Sequence, residues 1–156
     1  DARLIARALK HNTNLEELWL ENNNITKFGS NALCKAIYDP ASLNSLSDCN
    51  HTCRIFGDAS FGNDISNNVA GCTPNQHMAR KMYHLLSVRN RDESNVYHLN
   101  LEFGGDEEDD ESLKLVPKVL ESVHRYNWEF TDYLPPLSIT YEILRGWKMP
   151  ELYEKV

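Results

Sequence analysis

Apolar residues open the chain at helical spacing: Leu4, Ile5, Ala8 and Leu9 predict a first helix. The period then changes. Leu18 and Leu20 alternate with Glu17, Trp19 and Glu21, as in a short half-buried strand, and Leu15 turns into the same interior. Asn23 carries an amide that can satisfy backbone groups where the strand ends, before Ile25. Gly29 suits a turn, after which Ala32, Leu33, Ala36 and Ile37 share one helical face. Helix, strand and helix in that order imply parallel strands joined by helical crossovers.

The pattern returns with a period of 28, since Leu43 and Leu46 repeat Leu15 and Leu18. The second copy then decays. Asp48 stands where a third leucine belongs and His51 where Asn23 sat, followed by Cys53 and Ile55. Asn50 and His51 read as a polar substitute for the asparagine position. From Phe56 to Thr73 the chain is rich in Gly, Asn, Asp and Ser without periodicity, as in an inserted loop. Thr73-Pro74-Asn75-Gln76 has the form of a capped helix start, with Met78, Met82, Leu85 and Leu86 as the buried face. Val96, Leu99 and Leu101 repeat the first spacing and predict a third strand. Later come a helix carrying Val116, Val119, Leu120 and Val123 with Pro117 in its first turn, and an aromatic loop from Tyr126 to Pro136 with Trp128, Phe130 and Tyr133. A last helix, Leu137 to Trp147, turns Ile139, Ile143 and Leu144 inward.

Leu15, Leu18, Leu20, Asn23 and Ile25 match the leucine-rich-repeat consensus at every fixed position. Residues 1–55 resemble ribonuclease-inhibitor-type repeats, and Val96–Leu101 adds a third signature. The stretches Asn50–Cys53, Arg89–Val96, Leu115–Leu120 and Trp147–Tyr153 are similar to the C-terminal ends of uncharacterised algal leucine-rich-repeat proteins. The resemblance implies an α/β solenoid fragment, with parallel strands inside and helices outside. Residues 1–103 would be repeats, with an insertion at about 56–74, and residues 104–156 a helical C-terminal cap sealing the open core. It also implies a non-enzymatic protein-binding scaffold, with no catalytic residue or cofactor. The chain opens inside a helical pattern, so upstream repeats are expected to precede it.

Composition narrows the function classes. Hydrophobic residues are 41% and charged residues 25%, as in an ordinary soluble protein, and no apolar run is long enough for a membrane span. The net charge of −7 arises mostly from one run, Asp106 to Glu111; without it 16 basic residues face 17 acidic ones. There is no stripe of Lys and Arg to neutralise phosphates, which argues against nucleic acid as a partner. Four irregularly spaced cysteines fit a reducing, cytoplasmic setting better than a disulfide scaffold.

On a concave repeat sheet the variable positions face outward. Stacking at the 28-residue period would align Glu17 with Ser45 and His98, Trp19 with Ser47 and Asn100, and Glu21 with Cys49 and Glu102. Trp19 stands out, because a large aromatic beside carboxylates is the composition of a protein-binding hot spot. Glu17, Glu21, Tyr97, His98 and Asn100 complete the candidate partner-binding set. The other reading for Trp19 is burial under neighbouring chain, in a purely structural capping segment. Cys49-x-His51-x-Cys53 with Cys72 and His77 offers five zinc donors, but the spacing matches no common zinc motif. Cys53 is expected instead as a small buried apolar residue at the position of Ile25. Asn50-His51-Thr52 is a formal glycosylation sequon placed beside a buried turn. Six consecutive acids splay in all directions, so the run reads as a solvated face rather than a calcium loop. No nucleophile elbow or phosphate loop is present, which leaves a Cys/His hydrolase as the one enzymatic reading.

Overall fold

The structure is a computed structural model that describes residues 1–57, 61, 66–103, 114–125 and 136–147. The elements run α1 (Ala2–Lys10), β1 (Glu17–Trp19), α2 (Lys27–Ile37), α3 (Leu43–Ser47), β2 (Arg54–Phe56), α4 (Pro74–Arg91), α5 (Asn95–Phe103), α6 (Val116–Arg125) and α7 (Pro136–Gly146). Helices hold 61% of the described residues, and among these residues the sheet has two parallel strands. The leucine-rich-repeat solenoid is therefore corrected: the described residues are mostly helical, and among them no third rung stacks on the sheet. The acidic run and residues 126–135 of the aromatic loop lie outside the described residues, and Pro136 opens α7.

Two of the three expected strands are helices, for a common reason. Leucines three apart satisfy a helix as well as a strand end. In α3, Leu43 and Leu46 are both fully buried, and no β-branched residue lies between Ser42 and Asn50 to favour an extended chain. In α5, Asn95, Leu99 and Phe103 are buried at intervals of four, while Leu101 is 70% exposed. A strand would have put Leu99 and Leu101 on the same face. The partner of β1 is instead Arg54-Ile55-Phe56, in the register Glu17↔Arg54, Leu18↔Ile55 and Trp19↔Phe56. Phe56, read as the start of the insertion, is thus strand.

The chain divides into two units, Asp1–Ala41 with Ser45–Lys81, and Ser42–Asn44 with Met82 onward. In the first, Ala6, Leu9, Leu20, Leu33, Ala36, Ile37, Cys53, Ile55 and Phe61 form one apolar cluster, with Cys53 the small apolar residue expected. Helix α1 is rotated from its predicted face: Ala6 and Leu9 are buried, Leu4 is 67% exposed, and Ile5 and Ala8 are exposed too. The rotation follows from close packing of α1 on α2. A Cβ at Gly29 would come within 2.8 Å of the Ala2 Cβ, so small residues meet there. Gly29 accordingly lies inside α2, not in a turn before it. The helix is capped by Thr26, whose hydroxyl accepts the Gly29 N–H.

Polar side chains hold the irregular part of this unit together. Asn50 is buried; its Nδ2 donates to the carbonyls of Leu9 (2.7 Å) and Asn12 (2.5 Å), and its Oδ1 accepts from the N–H groups of Thr52 (2.8 Å) and Cys53 (2.7 Å). This is the backbone-satisfying role that the repeat pattern assigns to asparagine. Asn23, by contrast, is exposed and donates to the nearby Glu21 carbonyl. Asn68 donates to the carbonyls of Asn50 and Cys53, and Asn67 brackets the N–H and C=O of Ile55. Replacing Asn50 by Ala strands these backbone groups and is expected to cost about 2 kcal/mol. Urea unfolding checks this, with Asn50→Asp as the control that keeps the acceptor half.

Helix α4 begins, in the first unit, with the predicted capping box. Gln76 Oε1 accepts the Thr73 N–H (2.7 Å), and Thr73 Oγ accepts the Gln76 N–H (3.3 Å). Further along, Met82, Leu85 and Leu86 are buried as expected, and Met78 is half-buried. In the second unit, Val116, Val119, Val123, Ile139 and Ile143 are buried too; Leu120 and Leu144, predicted inward, are exposed. Helix α7 packs against α5 and α6, and Phe103 meets Trp147 at 5.8 Å.

Candidate recognition surface

Alternation along β1 sends Leu18 inward and leaves Glu17 and Trp19 on the outer face. The parallel register places Arg54 and Phe56 beside them. The four side chains interlock. The Trp19 and Phe56 rings stack 4.2 Å apart at 16°. The Trp19 Nε1–H donates to Glu17 Oε2 at 3.1 Å, and Arg54 forms an ion pair with Glu17 Oε1. The Arg54 guanidinium also lies 5.1 Å from the centroid of Phe56. Arg54, then the indole N–H, holds the Glu17 carboxyl below the usual glutamate range. Trp19 nonetheless remains 60% exposed. The result is an exposed aromatic plate whose rotamer is fixed from two sides.

The other candidate residues do not join it as rungs of one sheet. Glu21 is exposed in the turn after β1, where Asn22 and Asn24 adopt left-handed backbone (φ 59° and 48°). Tyr97, His98 and Asn100 lie on α5, in the second unit; Tyr97 is 66% exposed and meets the His98 ring edge-on at 5.5 Å. The alignment of Glu17 with His98 and of Trp19 with Asn100 is corrected, because α5 supplies no strand. Arg54 and Phe56 are the residues of this surface that the sequence reading did not include. Their signal was the β-branched and aromatic pair Ile55-Phe56 just before the polar stretch.

Each unit has cavities of its own. In the first unit, about 280 Å³ is lined by residues including Glu16, His51, Thr52, Cys72 and His77. Burial disfavours the charged form of both its histidines: with the Lys81 charge adding to it, burial pushes His51 down to about 3, and burial lowers His77. The His77 Nδ1–H donates to the His51 carbonyl (2.7 Å), and Nε2 accepts the Val69 N–H (3.0 Å), so both ring nitrogens are occupied. Among the described residues no group of three or more His, Cys, Asp or Glu is placed to hold a metal ion, and no disulfide joins the four cysteines. In the second unit, about 460 Å³ is lined by residues including Asn90, Glu93, Tyr141, Glu142 and Arg145. Among the described residues no helix is long and apolar enough to cross a membrane. Comparison with protein families, with curated proteins and with solved structures finds no match.

Proposed function

We propose that this chain is a protein-recognition module and that the Glu17–Trp19 and Arg54–Phe56 face is where its partner docks. The observation that carries the reading is Trp19, 60% exposed yet fixed by stacking on Phe56 and by its bond to Glu17. An aromatic side chain ordered before binding loses little conformational entropy on association, and a ring of this size supplies much of the apolar area of a hot spot. The flanking Glu17–Arg54 pair gives the rim polar groups that select orientation. That Cys34, Cys49, Cys53 and Cys72 form no disulfide supports a reducing, cytoplasmic setting for that role.

A photocrosslinking benzophenone amino acid at position 19, and another at exposed Phe28, tests the assignment in cells. The expected result is a discrete adduct from position 19 that excess wild-type chain suppresses and excess Trp19→Ala chain does not. Because Trp19 is exposed, Trp19→Ala is expected to change folding stability by less than about 1 kcal/mol while weakening the captured partner at least about tenfold. A large loss of stability with no change in capture would make Trp19 a structural residue instead.

A further inference from the structure

The two edges of the sheet are treated differently, and the difference points to a partner. In a parallel pair, alternate residues aim their backbone groups at the neighbouring strand. The Arg54 N–H donates to the Glu16 carbonyl (2.8 Å) and the Leu20 N–H to the Phe56 carbonyl (2.7 Å). With Leu18 opposite Ile55, the backbone groups of Ile55 therefore point away from β1, and those of Glu17 and Trp19 point away from β2. The outer edge of β2 is closed by a side chain. Asn67 accepts the Ile55 N–H on Oδ1 (3.1 Å) and donates from Nδ2 to the Ile55 carbonyl (2.8 Å), the two bonds a third strand would make. The outer edge of β1 has no such cover among the described residues. Among the described residues, nothing bonds the N–H and C=O groups of Glu17 and Trp19 there. Nor does this edge carry proline, lysine or a bulge, three of the usual means of blocking strand addition.

Resting on the recognition reading above, we infer that the partner presents an extended segment that adds to the free edge of β1 as a third strand. The edge selects for a chain able to return two N–H and two C=O groups, hence one without proline at those positions. The adjacent face selects the side chains: an aromatic or β-branched residue lies beside Trp19, where cross-strand pairs with aromatics are most favourable. Specificity thus comes from the plate formed by Trp19 and Phe56, and much of the affinity from main-chain bonds. A second copy of this chain is the competing occupant. Three residues per strand and an outward carboxylate on each copy make it the weaker fit.

The test pans a phage-displayed library of linear peptides against the whole chain and measures an enriched peptide against three forms. These are wild type, Trp19→Ala, and a semisynthetic chain in which the Trp19 amide N–H is replaced by an ester oxygen with the indole retained. The ester is expected to weaken binding about tenfold, as is Trp19→Ala, and the bound peptide is expected to slow hydrogen exchange at the Glu17 and Trp19 amides. Enriched peptides should be free of proline in the bound register. If the ester binds like wild type while Trp19→Ala does not, the face is used without the edge and strand addition is overturned. If neither change matters, the recognition reading falls with it. Sedimentation of the chain alone is expected to give a monomer. A dimer abolished by the ester would make a second copy the occupant and overturn the partner assigned here, as would a library that yields no binder.

Discussion

Glu102→Ala is expected to lower the stability of the second unit by about 3–5 kcal/mol, although it deletes one carboxylate. Glu102 Oε1 lies 2.6 Å from Arg89 Nη2, and the two side chains are only 8% and 6% exposed. Oε2 of the same carboxylate accepts the Leu43 N–H at 3.0 Å. Removing it leaves a guanidinium with no opposite charge in a site that excludes water, and Arg89 Nη1 already finds no hydrogen-bond partner among the described residues. The buried backbone N–H of Leu43 loses its acceptor as well. Removing both charges is different. The double variant Arg89→Met with Glu102→Leu escapes the cost of holding an unpaired ion and should regain most of the loss. Urea midpoints for both single variants and the double close the cycle. Equal losses for single and double variants would show that the pair is solvated.

Lys81 should make stability rise with pH across neutrality. Its ammonium is completely buried, and Nζ donates to two neutral oxygens, the Ile37 carbonyl (2.6 Å) and Asn68 Oδ1 (2.7 Å). Burial is the main cause that pushes its pKa down from 10.5 to about 7, with Arg80 adding to the shift and Cys49 opposing it. The sign follows from proton counting. Between those values the unfolded chain carries the proton and the folded chain does not, so unfolding takes up a proton and is disfavoured as pH rises. The stability is fully present above about 10.5 and is lost as pH falls through about 7; over the whole window it amounts to about 5 kcal/mol. The accessible part is pH 7 to 9, worth about 2 kcal/mol. Above that, the thiols of Cys49 and Cys53 and the Tyr83 hydroxyl, all pushed up by burial, pull in the opposite direction. Lys81→Met should flatten the profile from pH 7 to 9 in chemical denaturation, and an unchanged slope would show that Lys81 is not its source.

Local chemistry was legible wherever neighbouring residues decide the structure. Thr73 and Gln76 bond each other directly, so the start of α4 could be read from four letters. Leu18 and Leu20 against Glu17 and Trp19 defined β1 and exposed Trp19 in one step. What could not be read depends on distant partners. The spacing of Val96, Leu99 and Leu101 does not decide between strand and helix on its own; in α5 the deciding residues were Asn95 and Phe103, which lie outside the six-residue motif. Helix α1 has two apolar stripes, and only the approach of Gly29 to Ala2 selects the one with small residues. The candidate surface was half visible for the same reason. Trp19 and Glu17 sit in the repeat-like segment, whereas Arg54 and Phe56 reach them only through a pairing register that no local pattern encodes.

The buried amide of Asn50 has one more consequence, because it belongs to the sequon Asn50-His51-Thr52. A sugar is attached through the same Nδ2 that donates to Leu9 and Asn12. Modification and native structure therefore exclude one another at this residue. Were the chain routed through a secretory lumen, an oligosaccharide transferred during synthesis would trap it short of its native state, so glycan occupancy at Asn50 would count molecules that never matured.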